Sequence, residues 1–196
     1  PELSAEPATL SKWPKPNLGW FRQQLIKLAA HAHLDTPFYM TLDADVLFVR
    51  AFGYRLLVSE GRGTVGTLRP DDIAGLFTGE ASAHELHVRR QRMRQAEGIL
   101  GLARPAANAG HWYTETPVLL NRGIVAGLAA HIEQHCAMPW RQALLERLPW
   151  TEYSLYFLFA EATGMLLQRH RPGAMDAMLR MSQSLWNAPE KNRNGG

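Results

Sequence analysis

The run Tyr39-Met40-Thr41-Leu42-Asp43-Ala44-Asp45-Val46-Leu47-Phe48 sets two carboxylates, one residue apart, at the end of an apolar stretch. Phe38 to Leu42 is too short for a helix and is bounded by Pro37 and the acidic pair, so it reads as a strand. Charge beside apolar surface is costly unless compensated. Two like charges this close also repel. A divalent cation resolves both costs. Carboxylate oxygens suit Mg²⁺ and Mn²⁺, whose remaining positions can take phosphate oxygens. The competing reading is a strand end capped by two solvated aspartates.

The flanking pattern points to an α/β domain. From Gly19 to His33 the apolar positions Phe21, Leu25, Leu28, Ala29 and Ala32 mark one helix face, with Asn17 as N-cap and Arg22, Gln23, Gln24 and Lys27 on the other sides. Val46 to Val49 resumes an extended run. Leu56 to Val58 and Thr64 to Leu68 flank Gly61-Arg62-Gly63 as a hairpin or neighbouring strands. Ser82 to Gly98 predicts a surface helix, Arg104 to Gly110 a small-residue loop and Pro117 to Leu120 a short strand. Helices follow over Arg122 to His135, Arg141 to Leu148 and Glu152 to Thr163, with Gly164 stopping the last. Phe38 to Leu42 is expected to be a central strand with the Gly19 to His33 helix packed on the sheet. Ligands in such sheets sit outside the carboxyl ends of strands, which is where Asp43 lies.

The chain has 196 residues, 46% hydrophobic and 20% charged, which fits a soluble globular domain rather than a disordered one. Residues 1–16 hold four prolines and read as an extended arm, 17–188 as the domain and 189–196 as a mobile polar tail. The lone Cys136 has no CxxC partner and reads as a reduced structural thiol. A net charge of +3 with a pI of 9.3 suits a phosphate-bearing ligand or an anionic membrane surface. No run is long enough to span a bilayer. The start is not a signal peptide, so a cytoplasmic setting is expected, and Pro1 suggests a chain that begins partway into a longer protein.

Gly19-Trp20, Gln23-Gln24, Lys27-Leu28, Asp43-Ala44-Asp45 and Trp150-Thr151-Glu152-Tyr153 together carry a resemblance. The order of a helix with Lys-Leu before a strand ending in Asp-Ala-Asp is similar to GT-A-type glycosyltransferases, glycogenin-like enzymes among them. The pattern more closely resembles a bacterial family of unknown function described as glycosyltransferase-like. The matched blocks cover about a third of the chain. The resemblance implies a GT-A-like, Rossmann-like mixed sheet flanked by helices. It implies transfer of a sugar from a nucleotide-sugar donor, a UDP-sugar first of all, to a carbohydrate or glycolipid acceptor in bacterial glycan synthesis. Mn²⁺ or Mg²⁺ would be held by Asp43 and Asp45. Lys27 would stand beside the donor diphosphate as a point charge. Arg22, Gln23 and Gln24 would line the donor pocket, with Asp43 serving donor and metal alike. Such enzymes often recruit a downstream histidine as a further metal ligand, and His170 is one position for it. They also place a nucleotide-base-binding βαβ segment upstream. That unit needs about 30 or more residues, and only 42 precede Asp43, so it is expected to be missing here.

Glu152 is the candidate for acceptor recognition or a general base, because Trp150, Tyr153 and Tyr156 surround it and aromatic neighbours raise a carboxylate pKa. It could equally be a charge complementing a helix N-terminus. His111 to Thr116 could form the acceptor loop or an ordinary surface loop. Arg89, Arg90, Arg92 and Arg94 make a basic face, read as solvated or as a peripheral membrane contact. No nucleic-acid motif surrounds it. Two rival functions stay open. One is a non-catalytic carbohydrate-binding or scaffold domain using Trp13, Trp20, Trp112, Trp140, Trp150 and Trp186 as platforms. The other is a haloacid-dehalogenase-type phosphatase with Asp43 as nucleophile and Asp71-Asp72 as its later acidic pair. Against the latter, Leu47 stands where that pattern has Thr or Val.

Overall fold

A computed structural model describes residues 18–49, 51–76, 80–174 and 182–184. Asn17, Trp13, Trp186 and the 1–16 and 189–196 segments fall outside the described residues. The architecture is mixed α/β. Helix α1 (Leu18–Ala29) buries Phe21, Leu25, Leu28 and Ala29, the stripe that its spacing predicts. A 3-10 turn (Ala30–Ala32) continues it, and Ala32 is exposed rather than part of the stripe. Gln24 and Lys27, on the sides of α1 away from that stripe, are buried too.

Strand β1 (Phe38–Thr41) pairs antiparallel with β6 (Val118–Asn121), Phe38 opposite Asn121 and Thr41 opposite Val118. Strand β2 (Val46–Phe48) pairs antiparallel with β8 (Ser182–Ser184). A four-stranded mixed sheet holds β3 (Val58–Ser59), β4 (Arg62–Leu68), β5 (Trp112–Tyr113) and β7 (His170–Ala174), with β7 parallel to β4. The expectation that Phe38 to Leu42 is a central strand is therefore corrected. Among the described residues it belongs to a two-stranded ribbon, and β4 is the strand with three partners. Gly63 lets β4 lie against that ribbon: a Cβ there would stand 2.8 Å from Phe38 and 2.9 Å from Leu119.

The hairpin is real but its turn is shifted. Glu60 and Gly61, with φ of 54° and 70°, make the tight turn between β3 and β4, as two-residue hairpins require. Leu56 and Leu57 lie in a helical turn, α2 (Tyr54–Leu57), rather than in the strand. The other helices are α3 (Pro70–Leu76), α4 (Glu80–Leu100), α5 (Arg122–Cys136), α6 (Trp140–Glu146), α7 (Glu152–Ala162) and α8 (Met165–Arg169). Asn121 caps α5 through Ile124 N–H at 3.1 Å, and Thr151 caps α7 through Ser154 N–H at 3.2 Å. Gly164, at φ 70°, ends α7 as expected. Helix α7 is apolar nearly all round and runs through the core against α1, α4, α5 and α8. Cys136 is buried and unpaired by any disulfide. The basic face of α4 divides: Arg90 and Arg94 are exposed, while Arg89 and Arg92 turn to Glu85 and Glu115. Among the described residues no helix is long and apolar enough to cross a membrane.

His170 opens β7 and is fully buried. Its Nε2 lies 2.5 Å from the Tyr156 hydroxyl and its Nδ1 3.3 Å from the Gly63 carbonyl. Asn121 N–H donates to that hydroxyl, so Tyr156 gives its own hydrogen to Nε2, and Nδ1–H donates to Gly63. Burial lowers the imidazole from 6.5 to about 4. The unfolded chain takes up the proton first as pH falls, so stability drops between roughly pH 6.5 and 4. At ~1.4 kcal/mol per pKa unit the loss attributable to His170 is roughly 3 kcal/mol. Urea unfolding at pH 7 and pH 4.5 is expected to show this loss in the native chain and a smaller one in His170→Gln. Equal losses would remove His170 from the acid response.

Candidate functional site

Three separate stretches of sequence meet at the acidic turn. Val46 N–H donates to the Asp43 carbonyl at 3.1 Å, so Asp43-Ala44-Asp45-Val46 forms the turn between β1 and β2. Thr116 Oγ1 accepts the Asp43 N–H at 2.8 Å. From α1, Lys27 Nζ reaches Asp43 Oδ1 at 2.5 Å, Glu152 Oε1 at 2.9 Å and the Tyr153 hydroxyl at 3.2 Å. The ammonium has three hydrogens, and these three acceptors match them. Gln23 Nε2 adds a bond to Asp43 Oδ1 at 3.2 Å. Gln24 Oε1 takes the Glu152 N–H at 3.0 Å, satisfying one of the donors that a helix start leaves open. Gln24 Nε2 is buried with no hydrogen-bond partner among the described residues. Tyr39 OH donates to the Lys27 carbonyl at 3.0 Å, and Thr41 Oγ1 lies 3.2 Å from the Tyr153 hydroxyl.

Burial disfavours the Lys27 ammonium, but Glu152, Tyr153 and Asp43 outweigh it and raise its pKa. Burial pushes the Glu152 carboxyl upward, while Lys27 pulls against that shift. The Tyr153 hydroxyl is raised by burial and by Glu152. One ammonium thus stands between two carboxylates, and Asp45 lies two residues beyond Asp43. The Asp43 side chain is 35% exposed and Asp45 is half-buried, so solvent reaches both carboxylates of the turn. Two carboxylates at a solvent-reached turn fit a hard cation that is bound by one or two protein oxygens and completed by water or phosphate.

The expected residues divide between those gathered here and those placed elsewhere. Gln23, Gln24, Lys27, Asp43 and Glu152 share one hydrogen-bonded cluster. Arg22 is exposed on α1. Glu152, a candidate for acceptor recognition or a general base and equally for a charge complementing a helix N-terminus, stands in the first turn of α7. Its residue is only 3% exposed and its Oε1 is held by Lys27, so the arrangement makes it a positioning residue for the lysine. His170 is corrected as a metal ligand, because Tyr156 and Gly63 occupy both ring nitrogens in the core. Among the described residues no group of three or more His, Cys, Asp and Glu is arranged to hold a metal. The expected acceptor loop is buried at Trp112, Tyr113 and Thr114 and half-buried at His111, Glu115 and Thr116. Trp112, Trp140 and Trp150 are core residues rather than platforms, and Trp20, 41% exposed, is the one described tryptophan on the surface. Asp72 accepts from Arg69 N–H at 2.7 Å at the start of α3.

Sequence reasoning missed the roles of Thr41, Thr116, Arg92 and Glu115. Arg92 Nη1 donates to Glu115 Oε1 at 3.0 Å, and the Arg92 Cζ lies 6.0 Å from the centre of the Trp20 ring. Nothing local marks such pairs, although Tyr153 was within reach as the neighbour of Glu152. A hollow of about 30 Å³ beside Tyr153 is lined by Arg89, Arg92, Glu115 and Ser154. A cleft of about 500 Å³ lies elsewhere, and none of Lys27, Asp43, Asp45 or Glu152 lines it. The charged cluster, not the larger cleft, is where convergent polar groups meet the acidic turn.

Fold and site define a mixed α/β protein with a buried lysine–carboxylate cluster behind an acidic turn. The family model described as Family of unknown function (DUF6492) matches residues 10–194, and the chain belongs to that family. No curated protein and no solved structure is significantly similar to it.

Removing one member of a buried ion pair leaves the other uncompensated, at roughly 3–5 kcal/mol. Lys27→Met is expected to destabilise the chain on that scale in urea unfolding. Lys27→Met/Glu152→Gln, which removes both charges, should recover part of the loss. Strict additivity of the two changes would mean that the pair does not interact.

Proposed function

We propose that the chain serves metal-dependent glycosyl transfer from a nucleotide-sugar, a UDP-sugar first, to a carbohydrate or glycolipid acceptor. The observation that carries the reading is the meeting of Lys27, Asp43 and Glu152 from three distant stretches, which are the stretches bearing the resemblance to GT-A-type enzymes. A GT-A-like identity of the mixed α/β fold belongs to the same proposal. Asp43 and Asp45 would hold Mn²⁺ or Mg²⁺. When bound, the cation would neutralise charge on the diphosphate leaving group. Lys27 and Gln23 fix the orientation of the Asp43 carboxylate by occupying one oxygen. Glu152 and Tyr153 hold the ammonium in place. Arg22, exposed on the same helix, is assigned to the donor phosphates, for which a guanidinium is suited. Preset groups of this kind need no reorganisation as charge develops.

Calorimetry on the full-length protein with Mn²⁺ and UDP provides the test. Binding of UDP is expected to require the metal. Asp45→Ala is expected to abolish metal-dependent binding, because it removes a ligand and half the compensating charge. Asp45→Ala that binds Mn²⁺ and UDP like the native protein would end this assignment.

A further inference from the structure

The cleft of about 500 Å³ is bordered by Thr67, Asn108, His111, Tyr113, Leu166 and Pro172, with Glu161 at its floor and Arg69 at its rim. Its size falls in the usual range for small-ligand sites, ~300–1,000 Å³. The floor is a closed polar chain. Arg104 meets Glu161 through two bonds, Nε to Oε2 at 3.0 Å and Nη2 to Oε1 at 3.2 Å. Tyr113 OH adds its hydrogen to Glu161 Oε1 at 2.7 Å. The Glu161 side chain is fully buried and the Arg104 side chain nearly so. This pair therefore adds no net charge to the cleft. Arg69 is bound by Asp72.

Hydrogen-bond accounting continues outward from that floor. Tyr113 has given its only hydrogen to Glu161, so at its contact with His111 Nε2, 3.3 Å away, it accepts. His111 is then the Nε2–H tautomer, and Nδ1 is a lone-pair acceptor. Burial and Arg104 lower the His111 pKa, which favours the neutral ring. Thr67 Oγ1 donates to the Gly173 carbonyl at 3.2 Å, which leaves its oxygen as an acceptor. Asn108 contributes an amide with both donor and acceptor atoms. Leu166 and Pro172 supply an apolar wall.

We propose that this cleft binds a neutral hydroxylated ring, a sugar residue, with ring carbons on Leu166 and Pro172 and hydroxyls at His111 Nδ1, Thr67 and Asn108. Sugar hydroxyls both donate and accept, which matches a lining rich in acceptors with one amide. The buried Arg104–Glu161 pair offers a charged ligand no net counter-charge, and Arg69 at the rim is shared with Asp72. The site stands apart from the acidic turn, so it does not depend on the reading of Asp43 and Asp45.

The test is saturation-transfer NMR on the full chain without metal, using glucose, galactose, mannose and N-acetylglucosamine singly. At least one should receive saturation, with glucuronate binding more weakly. The His111 Nδ1 resonance should move on addition of that sugar. Thr67→Val/Asn108→Ala should stay folded, with a thermal midpoint lowered by no more than a few degrees by loss of the Thr67–Gly173 bond, and should weaken binding by about tenfold, the scale of one or two lost hydrogen bonds. Asp45→Ala should bind the sugar like the native chain. The proposal falls if none of the four sugars receives saturation, or if the double variant binds normally. It also falls if His111 is unmoved, if glucuronate binds as well as the neutral sugars, or if Asp45→Ala loses the sugar.

Discussion

The Lys27 ammonium is the group on which the acidic turn depends. Strand β1 has one partner strand among the described residues, so the sheet alone does little to fix Asp43. Side chains do it instead. Lys27 and Gln23 hold one carboxylate oxygen, and Thr116 holds the backbone N–H. The same ammonium reaches Glu152 and Tyr153 at the start of α7. Helix, turn and helix are thereby locked in one geometry. A buried ion pair adds little net stability over apolar packing. What it adds is position, since three elements can share one ammonium in few ways.

Helix α7 repeats this logic along its length. It is apolar on nearly every side, yet Glu152, Tyr156 and Glu161 project from it toward different elements, with Tyr153 joining Glu152 at Lys27. Glu152 is met by Lys27 from α1. Tyr156 is met by Asn121 of β6 and His170 of β7. Glu161 is met by Arg104 and by Tyr113 of β5. Unpaired polar groups in such a setting would be costly. Each pairing therefore sets the register of one neighbour against the helix. The parallel strand β7 owes part of its place beside β4 to the His170 contact with Gly63.

This arrangement explains what could be read in the sequence. Helix α1, strand β1, the acidic turn, α5 and α7 follow from periodicity, caps and breakers, all of which are local. The turn and its lysine were legible because both sit in short, patterned stretches. The burial of Gln24 and Lys27 was not, because a polar residue on a helix looks solvated until a distant partner covers it. Glu152 is that partner, 125 residues further on. His170 was misread for the same reason. A histidine between arginines looks exposed, whereas its backbone runs as a strand against Gly63 and its ring enters the core. The central place of β4 was hidden as well. Gly63 and Gly66 weaken its strand pattern, although they are what lets Phe38, Leu119 and Thr114 approach.

The two polar centres stand at opposite ends of one rigid element. Glu152 lies in the first turn of α7 and Glu161 in its last. Nine residues at the helical rise separate them by roughly 13 Å along the axis. Because α7 is packed on nearly every side, it can shift only as a body, not bend in the middle. Its two ends therefore keep a fixed spacing whatever either one binds. At the acidic turn one ammonium meets two carboxylates, while the ion pair at the far cleft is closed on itself. On the two proposals one end would take a cation with phosphate and the other a neutral polar ring. A single buried helix sets the two polar clusters in fixed register.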